Sequence, residues 1–215
     1  MIKVEIWSDV MCPFCYIGKR KFENALSQFA HKDEVEIEWK SFQLDPTIVT
    51  DASKTVHQFL AERKGISPEQ ARQMNDRVTN MAKEVGLTYH FDKAIVANSF
   101  DAHRFSHLAK QHGVQNEAEE VLFASYFTEG KNTADQQTLM ELGTKIGIDA
   151  GEVKEMLNDN LFAEQVNADI DEAQQIGVSG VPFFVVNRKY AVSGAQESTT
   201  FLQLLNKVYE EDIPQ

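Results

Sequence analysis

Two cysteines stand at a point where the periodicity of the chain changes. Residues Ile2-Lys3-Val4-Glu5-Ile6-Trp7 alternate apolar and polar, the signature of a strand. Cys12-Pro13-Phe14-Cys15 follows after a short loop. From there Cys15, Phe22, Leu26 and Phe29 recur at i, i+7, i+11 and i+14, which places them on one helical face. A dithiol at a strand-to-helix junction constrains fold and chemistry together. Helix N-termini carry unpaired N–H groups and a partial positive charge, and both favour a thiolate. Cys12 lies ahead of the helix, so its sulfur is expected to meet solvent and that field. Cys15 lies in the first turn on the core-facing stripe. Cys12 is therefore the expected attacking thiolate and Cys15 the resolving thiol, with exchange passing through a mixed disulfide on Cys12.

Other uses of the pair weigh less. A disulfide closing so short a loop removes little unfolded-state entropy. Structural zinc needs about four protein ligands, and this chain has no second cysteine pair. His103 and His107 stand at i and i+4, but Arg104 occupies the place where a metalloprotease helix carries Glu. No metal site is expected. With only two cysteines in 215 residues, disulfides cannot staple the fold.

Val35 to Phe42 alternates again as a second strand, closed by Asp45-Pro46. From about residue 53 to 177 the strand signal almost disappears. Met74, Val78, Met81 and Val85 recur at helical spacing, as do Leu139, Leu142 and Ile146. Gly65, Gly86, Gly113, Gly130 and Gly147 end successive periodic stretches, where helix C-termini favour glycine. Ser67-Pro68-Glu69 is a helix start. Strand character returns at Val181 to Val186, Asn187-Arg188-Lys189 turns, and Tyr190-Ala191-Val192 pairs back as a hairpin. Phe201, Leu205 and Val208 mark a closing helix. The order β-α-β, helical block, β-β-α predicts an α/β fold. Its sheet unit is built from residues 1–52 and 178–215, interrupted by a helical insertion over 53–177.

The formal charge of −12 argues against nucleic acid and anionic membranes as partners. Glu5 and Asp9 interrupt the place of a secretory h-region. The longest uncharged run, Val10 to Gly18, is far short of the roughly 20 residues of a membrane span. A cytoplasmic location is the expectation, and there a reactive dithiol is catalytic more often than structural.

Three segments carry a family resemblance. Trp7-Ser8-Asp9-Val10-Met11-Cys12-Pro13-Phe14-Cys15-Tyr16-Ile17-Gly18-Lys19 resembles the active-site segment of DsbA-like thiol oxidoreductases, specifically the cytoplasmic FrnE-like branch. Gly177-Val178-Ser179-Gly180-Val181-Pro182-Phe183-Phe184 resembles the stretch that carries the cis-proline of thioredoxin folds. Ala97-Asn98-Ser99-Phe100-Asp101-Ala102-His103-Arg104 is similar to an insertion helix shared with 2-hydroxychromene-2-carboxylate isomerases and kappa-class glutathione transferases. The resemblance implies a thioredoxin fold with a large all-helical insertion, a redox pair at Cys12 and Cys15, and a cis peptide at Val181-Pro182. Beside the pair, Pro13, Phe14, Val181 and Pro182 are the expected substrate-binding residues, since the Val181 backbone can pair with an extended substrate while Pro182 lacks an N–H. Glu5 and Asp9 are the nearest carboxylates, but neither is in register with the carboxylate that such enzymes bury beneath the pair.

The isomerase and kappa-transferase relatives carry serine at the reactive position. Two retained cysteines favour thiol–disulfide exchange with protein or small-molecule thiols, with no bound cofactor and with glutathione as a redox partner. A glutathione-dependent transferase or isomerase, with Asn98, Ser99 and the Val181 backbone holding glutathione, is the alternative, against which Asn98-Ser99 is simply a helix cap. A chaperone-like module lined by Phe22, Phe29, Phe100, Phe105, Phe123 and Phe127 is the second, although aromatics at helical spacing are usually core. Homodimerisation through the insertion rests on the resemblance alone. Pro13-Phe14 lacks the histidine that stabilises the thiolate in strongly oxidising relatives, so a less oxidising couple is expected.

Overall fold

A computed structural model describes residues 1–212. Strand β1 (Ile2–Ser8) leads into α1 (Pro13–Gln28), and β2 (Val35–Ser41) pairs parallel with β1. The chain then forms β3 (Asp51–Thr55), α2 (Val56–Lys64), α3 (Pro68–Glu84), β4 (Ile95–Val96), α4 (Phe100–Gln111) and α5 (Gln115–Phe123). Helix α5 continues as a π-helical turn over Ala124–Glu129, before α6 (Gln136–Lys145), α7 (Ala150–Asn158) and α8 (Ala163–Gln175). It closes with β5 (Phe183–Val186), β6 (Tyr190–Ser193) and α9 (Ser198–Asp212). The main sheet has the order β2-β1-β5-β6, with β5 antiparallel to β1 and β6 antiparallel to β5. This is the mixed α/β, thioredoxin-like arrangement that the resemblance implies.

Alternation along β1 sorts its side chains to two faces. Ile2, Val4 and Ile6 join Phe22 of α1, Phe184 of β5 and Phe201 and Leu205 of α9 in one core. Trp7 points the other way and packs with Ala173 of α8, Val178 and Val185. Its indole Nε1 donates to the carbonyl of Asp169 in α8 at 3.0 Å. Helix α8, which lies within the span expected as insertion, thus covers the second face of the sheet.

Edge strand β2 is closed by side chains. Gln115 accepts from the Trp39 N–H at 3.1 Å and donates to its carbonyl at 3.0 Å. Asp169 accepts from the Ser41 N–H at 2.9 Å. These bonds satisfy backbone groups that an open edge would offer to another chain.

The helical region has its own dense centre, with Phe105, Leu122, Phe123, Phe127, Leu139, Leu142 and Met156 all buried. Ser67 caps α3 in a capping box with Gln70, as its sequence predicts. The five glycines expected at helix ends all have positive φ. Two differences from expectation appear here. A small antiparallel pair, β3–β4, falls in the stretch that lacks strand signal, because two-residue β4 is too short to show a period. The Met74/Val78/Met81/Val85 stripe is helical but faces partly outward, with Met74 37% and Met81 40% exposed; helix α3 buries its small residues Ala71 and Ala82 instead.

Candidate functional site

Cys12 is the N-cap residue of α1, with extended backbone angles (φ −87°, ψ 111°), and Pro13 opens the helix. The Cys12 N–H donates to the Asp9 carbonyl at 2.9 Å, and the Cys15 N–H donates to the Cys12 carbonyl at 3.0 Å. These two bonds form the turn that sets both sulfurs at the helix start. Both cysteines are free thiols.

The cysteine pair and the loop before β5 meet, although far apart in sequence. The Val181–Pro182 peptide is cis. The Cys12 Sγ–H donates to the Val181 carbonyl at 3.4 Å. Gly18, one turn after Cys15, lies against the same loop: a Cβ there would come within 2.8 Å of Pro182 Cγ. The glycine lets helix and loop approach, and only its place in the motif hinted at this role.

Cys15 is 0% exposed and Cys12 only 3%. The expected solvent-facing Cys12 sulfur is therefore corrected. The 181–182 loop closes over the thiol, and Tyr89, from the loop between α3 and β4, donates its hydroxyl to the Pro13 carbonyl at 2.7 Å. The exposed member of the motif is Phe14, at 39%. Burial pushes the Cys15 thiol well above its ordinary value, and the adjacent Cys12 adds to this; Ser8 and the Asp9 backbone counter it only in part. A thiol that resists ionisation suits the resolving position.

Tyr89 belongs to an aromatic stack between α1 and the helical region. Tyr16 stacks on Phe123 at 5.0 Å between centroids, and Tyr89 on Phe127 at 4.6 Å. Beside the stack, Glu120 of α5 accepts from the Tyr16 hydroxyl at 2.6 Å, from Lys19 at 2.9 Å and from Arg20 at 2.8 Å. Burial alone would raise the Glu120 carboxyl, but the bonds from Arg20 and Tyr16 and the charge of Lys19 outweigh it and hold the group at about 2.

The nearby carboxylates part company. Glu5 is buried on the α8 side of β1, ion-paired with Arg188 of the hairpin turn. Asp9 is buried beside the cysteine loop, and its oxygens accept from the Met11 N–H at 3.2 Å and the Leu44 N–H at 2.8 Å. His107 contacts Ser41 at 3.1 Å and Asp169 at 3.0 Å, apart from His103. Among the described residues no group of three or more His, Cys, Asp or Glu could hold a metal ion.

Asn98 spends its side chain on the protein itself. It donates to the carbonyls of Pro46 at 3.3 Å and Ile48 at 2.8 Å, and accepts from the Phe100 N–H at 2.9 Å. Ser99 is the N-cap residue of α4 but makes no side-chain capping bond, and the Asn98 side chain accepts from the first helical N–H in its place. Phe22, Phe29, Phe105, Phe123 and Phe127 are core, and only Phe100 is partly exposed. Among the described residues no helix is long and apolar enough to cross a membrane.

The DSBA-like thioredoxin domain family matches residues 3–206. The probable DsbA oxidoreductase SCO1869 of Streptomyces coelicolor is 40% identical, with a TM-score of 0.93 over 100% of this chain and 93% of that one. The uncharacterized protein YwbO of Bacillus subtilis is 26% identical over 193 residues, 86% of each chain. The cytosolic disulfide reductase DsbM of Pseudomonas aeruginosa shares the fold at 14% identity, with a TM-score of 0.67 over 97% of this chain and 98% of that one.

Proposed function

This chain belongs to the DSBA-like thioredoxin domain family, and we propose that it is a thiol–disulfide oxidoreductase working through Cys12 and Cys15. The observation that carries the reading is the Cys12 sulfur at the N-terminus of α1, 3.4 Å from the Val181 carbonyl, with the buried Cys15 one turn behind it. Cys12 as thiolate attacks a substrate disulfide, forming a mixed disulfide and releasing one substrate thiolate. Cys15 gives its proton to the released substrate thiolate and attacks the Cys12 sulfur, forming the Cys12–Cys15 disulfide and releasing the second substrate thiolate. The reverse sequence oxidises a dithiol substrate. The Cys12 sulfur, at the start of α1, attacks in one direction and leaves in the other. Pro13, Phe14, Val181 and Pro182 border the sulfur, and the backbone there receives an extended substrate segment.

The FrnE-like branch, a cytoplasmic location and glutathione as redox partner belong to the same reading. The glutathione transferase or isomerase alternative has less support. The cysteine pair is retained, and the polar groups of Asn98 are taken up by Pro46, Ile48 and Phe100. The test is a disulfide-exchange assay on wild type and Cys12→Ser. Loss of essentially all activity in the variant is expected; full activity in it would overturn the mechanism.

A further inference from the structure

His103 of α4 is buried, only 3% exposed, and its Nε2 has no hydrogen-bond partner among the described residues. The atom lies 3.7 Å from Oδ1 of Asp9, itself 3% exposed. Asp9 is the residue on which the cysteine turn is built: its carbonyl receives the Cys12 N–H, its carboxylate receives the Met11 N–H, and its backbone lies against the Cys15 sulfur. Its second oxygen receives the Leu44 N–H, tying the loop after β2 to the same point. We propose that His103 is a positioning residue for thiol–disulfide exchange, acting through Asp9: the helical insertion supplies the cation that keeps the Asp9 carboxylate in place, and Asp9 holds the turn that carries both sulfurs. The proposal rests on the reading of Cys12 and Cys15 as the redox pair.

The surroundings fit a charged imidazole. Burial alone would lower the basicity of His103, but the Asp9 carboxylate, with smaller contributions from Glu119 of α5 and the Phe42 backbone, outweighs burial and raises it. The other titratable groups nearby are Tyr126 of the π-helical turn, raised by burial and by the Asp9 charge, and Lys19 and His107, which act on Glu119. The Glu119 carboxyl is itself raised by burial, against a 2.7 Å bond from Ser106. The charged imidazole is thus favoured and is lost as pH climbs through its raised value, and the Asp9 contact weakens over the same interval. Removing the charge that faces the Asp9 carboxylate should slow exchange about tenfold.

The test has two parts. NMR titration of His103 in wild type, as dithiol and as disulfide, should give different midpoints, because a group coupled to the redox pair must respond to its state; identical midpoints overturn the proposal. His103→Gln should slow exchange about tenfold where the wild-type imidazole is charged and remove the alkaline fall that the imidazole causes in wild type. An unchanged rate and pH profile in a folded H103Q would also overturn it. If the variant does not fold, the wild-type titration decides. A wild type with no exchange activity, or one indifferent to Cys12→Ser, would instead remove the reading of the cysteine pair and leave the titration result standing by itself.

Discussion

Helix α1 is held on two sides by different means. Toward the sheet and α9, Phe22 meets Phe184 and Phe201, each at 5.6 Å between ring centroids, in a cluster without a charged group between the rings. Toward the helical region, Tyr16, Lys19 and Arg20 meet Glu120, with Glu23 beside them. Lys19 has only 2% of its side chain exposed and depends on Glu23 and Glu120 to balance its charge. Apolar burial is non-directional and indifferent to pH, whereas a shared carboxylate fixes geometry and depends on ionisation. The sheet side is therefore expected to answer to loss of packing and the helical side to salt and pH.

The largest expected effect breaks the apolar side. Phe184→Ala should destabilise by about 3–5 kcal/mol, read as a lower denaturation midpoint that salt hardly changes. Breaking the polar side is milder. Glu120→Ala should cost roughly 2 kcal/mol, since the group is partly open to solvent, and the loss should shrink in high salt. The pH dependence follows from a carboxyl held at about 2 against an ordinary 4.5. Its contribution is fully present above the ordinary value and disappears as pH falls through about 2, so Glu120→Gln should flatten the acid limb of the stability curve. Gly18→Ala adds a methyl where Pro182 stands, at a cost of about 1–3 kcal/mol, and should slow disulfide exchange more than any variant on the far face of α1. Phe14→His should change stability by less than about 0.5 kcal/mol, as Phe14 is exposed. It should still make the couple more oxidising in equilibrium with glutathione, because it returns a thiolate-stabilising group.

The local parts of this site are legible in the chain. Alternation marks β1, the four-residue motif marks the start of α1, and two αL residues, Asn187 and Arg188, turn the β5–β6 hairpin where the sequence suggests it. Contacts between distant segments leave no such periodic trace. Trp7 meets Asp169, Tyr89 meets Pro13 and Arg20 meets Glu120 across stretches that no local pattern joins. The burial of Cys12 is of this kind: a residue ahead of a helix is normally open, and here the 181–182 loop closes it. Asp9 stands in the recognisable motif, but its 3.7 Å approach to His103, in a different element, leaves no local trace.

The most direct measurement is mass mapping of the adduct formed with oxidised glutathione in Cys12→Ser and Cys15→Ser. The account predicts a stable mixed disulfide on Cys12 in Cys15→Ser and no comparable adduct in Cys12→Ser. An adduct on Cys15, formed as fast in the absence of Cys12, would contradict it.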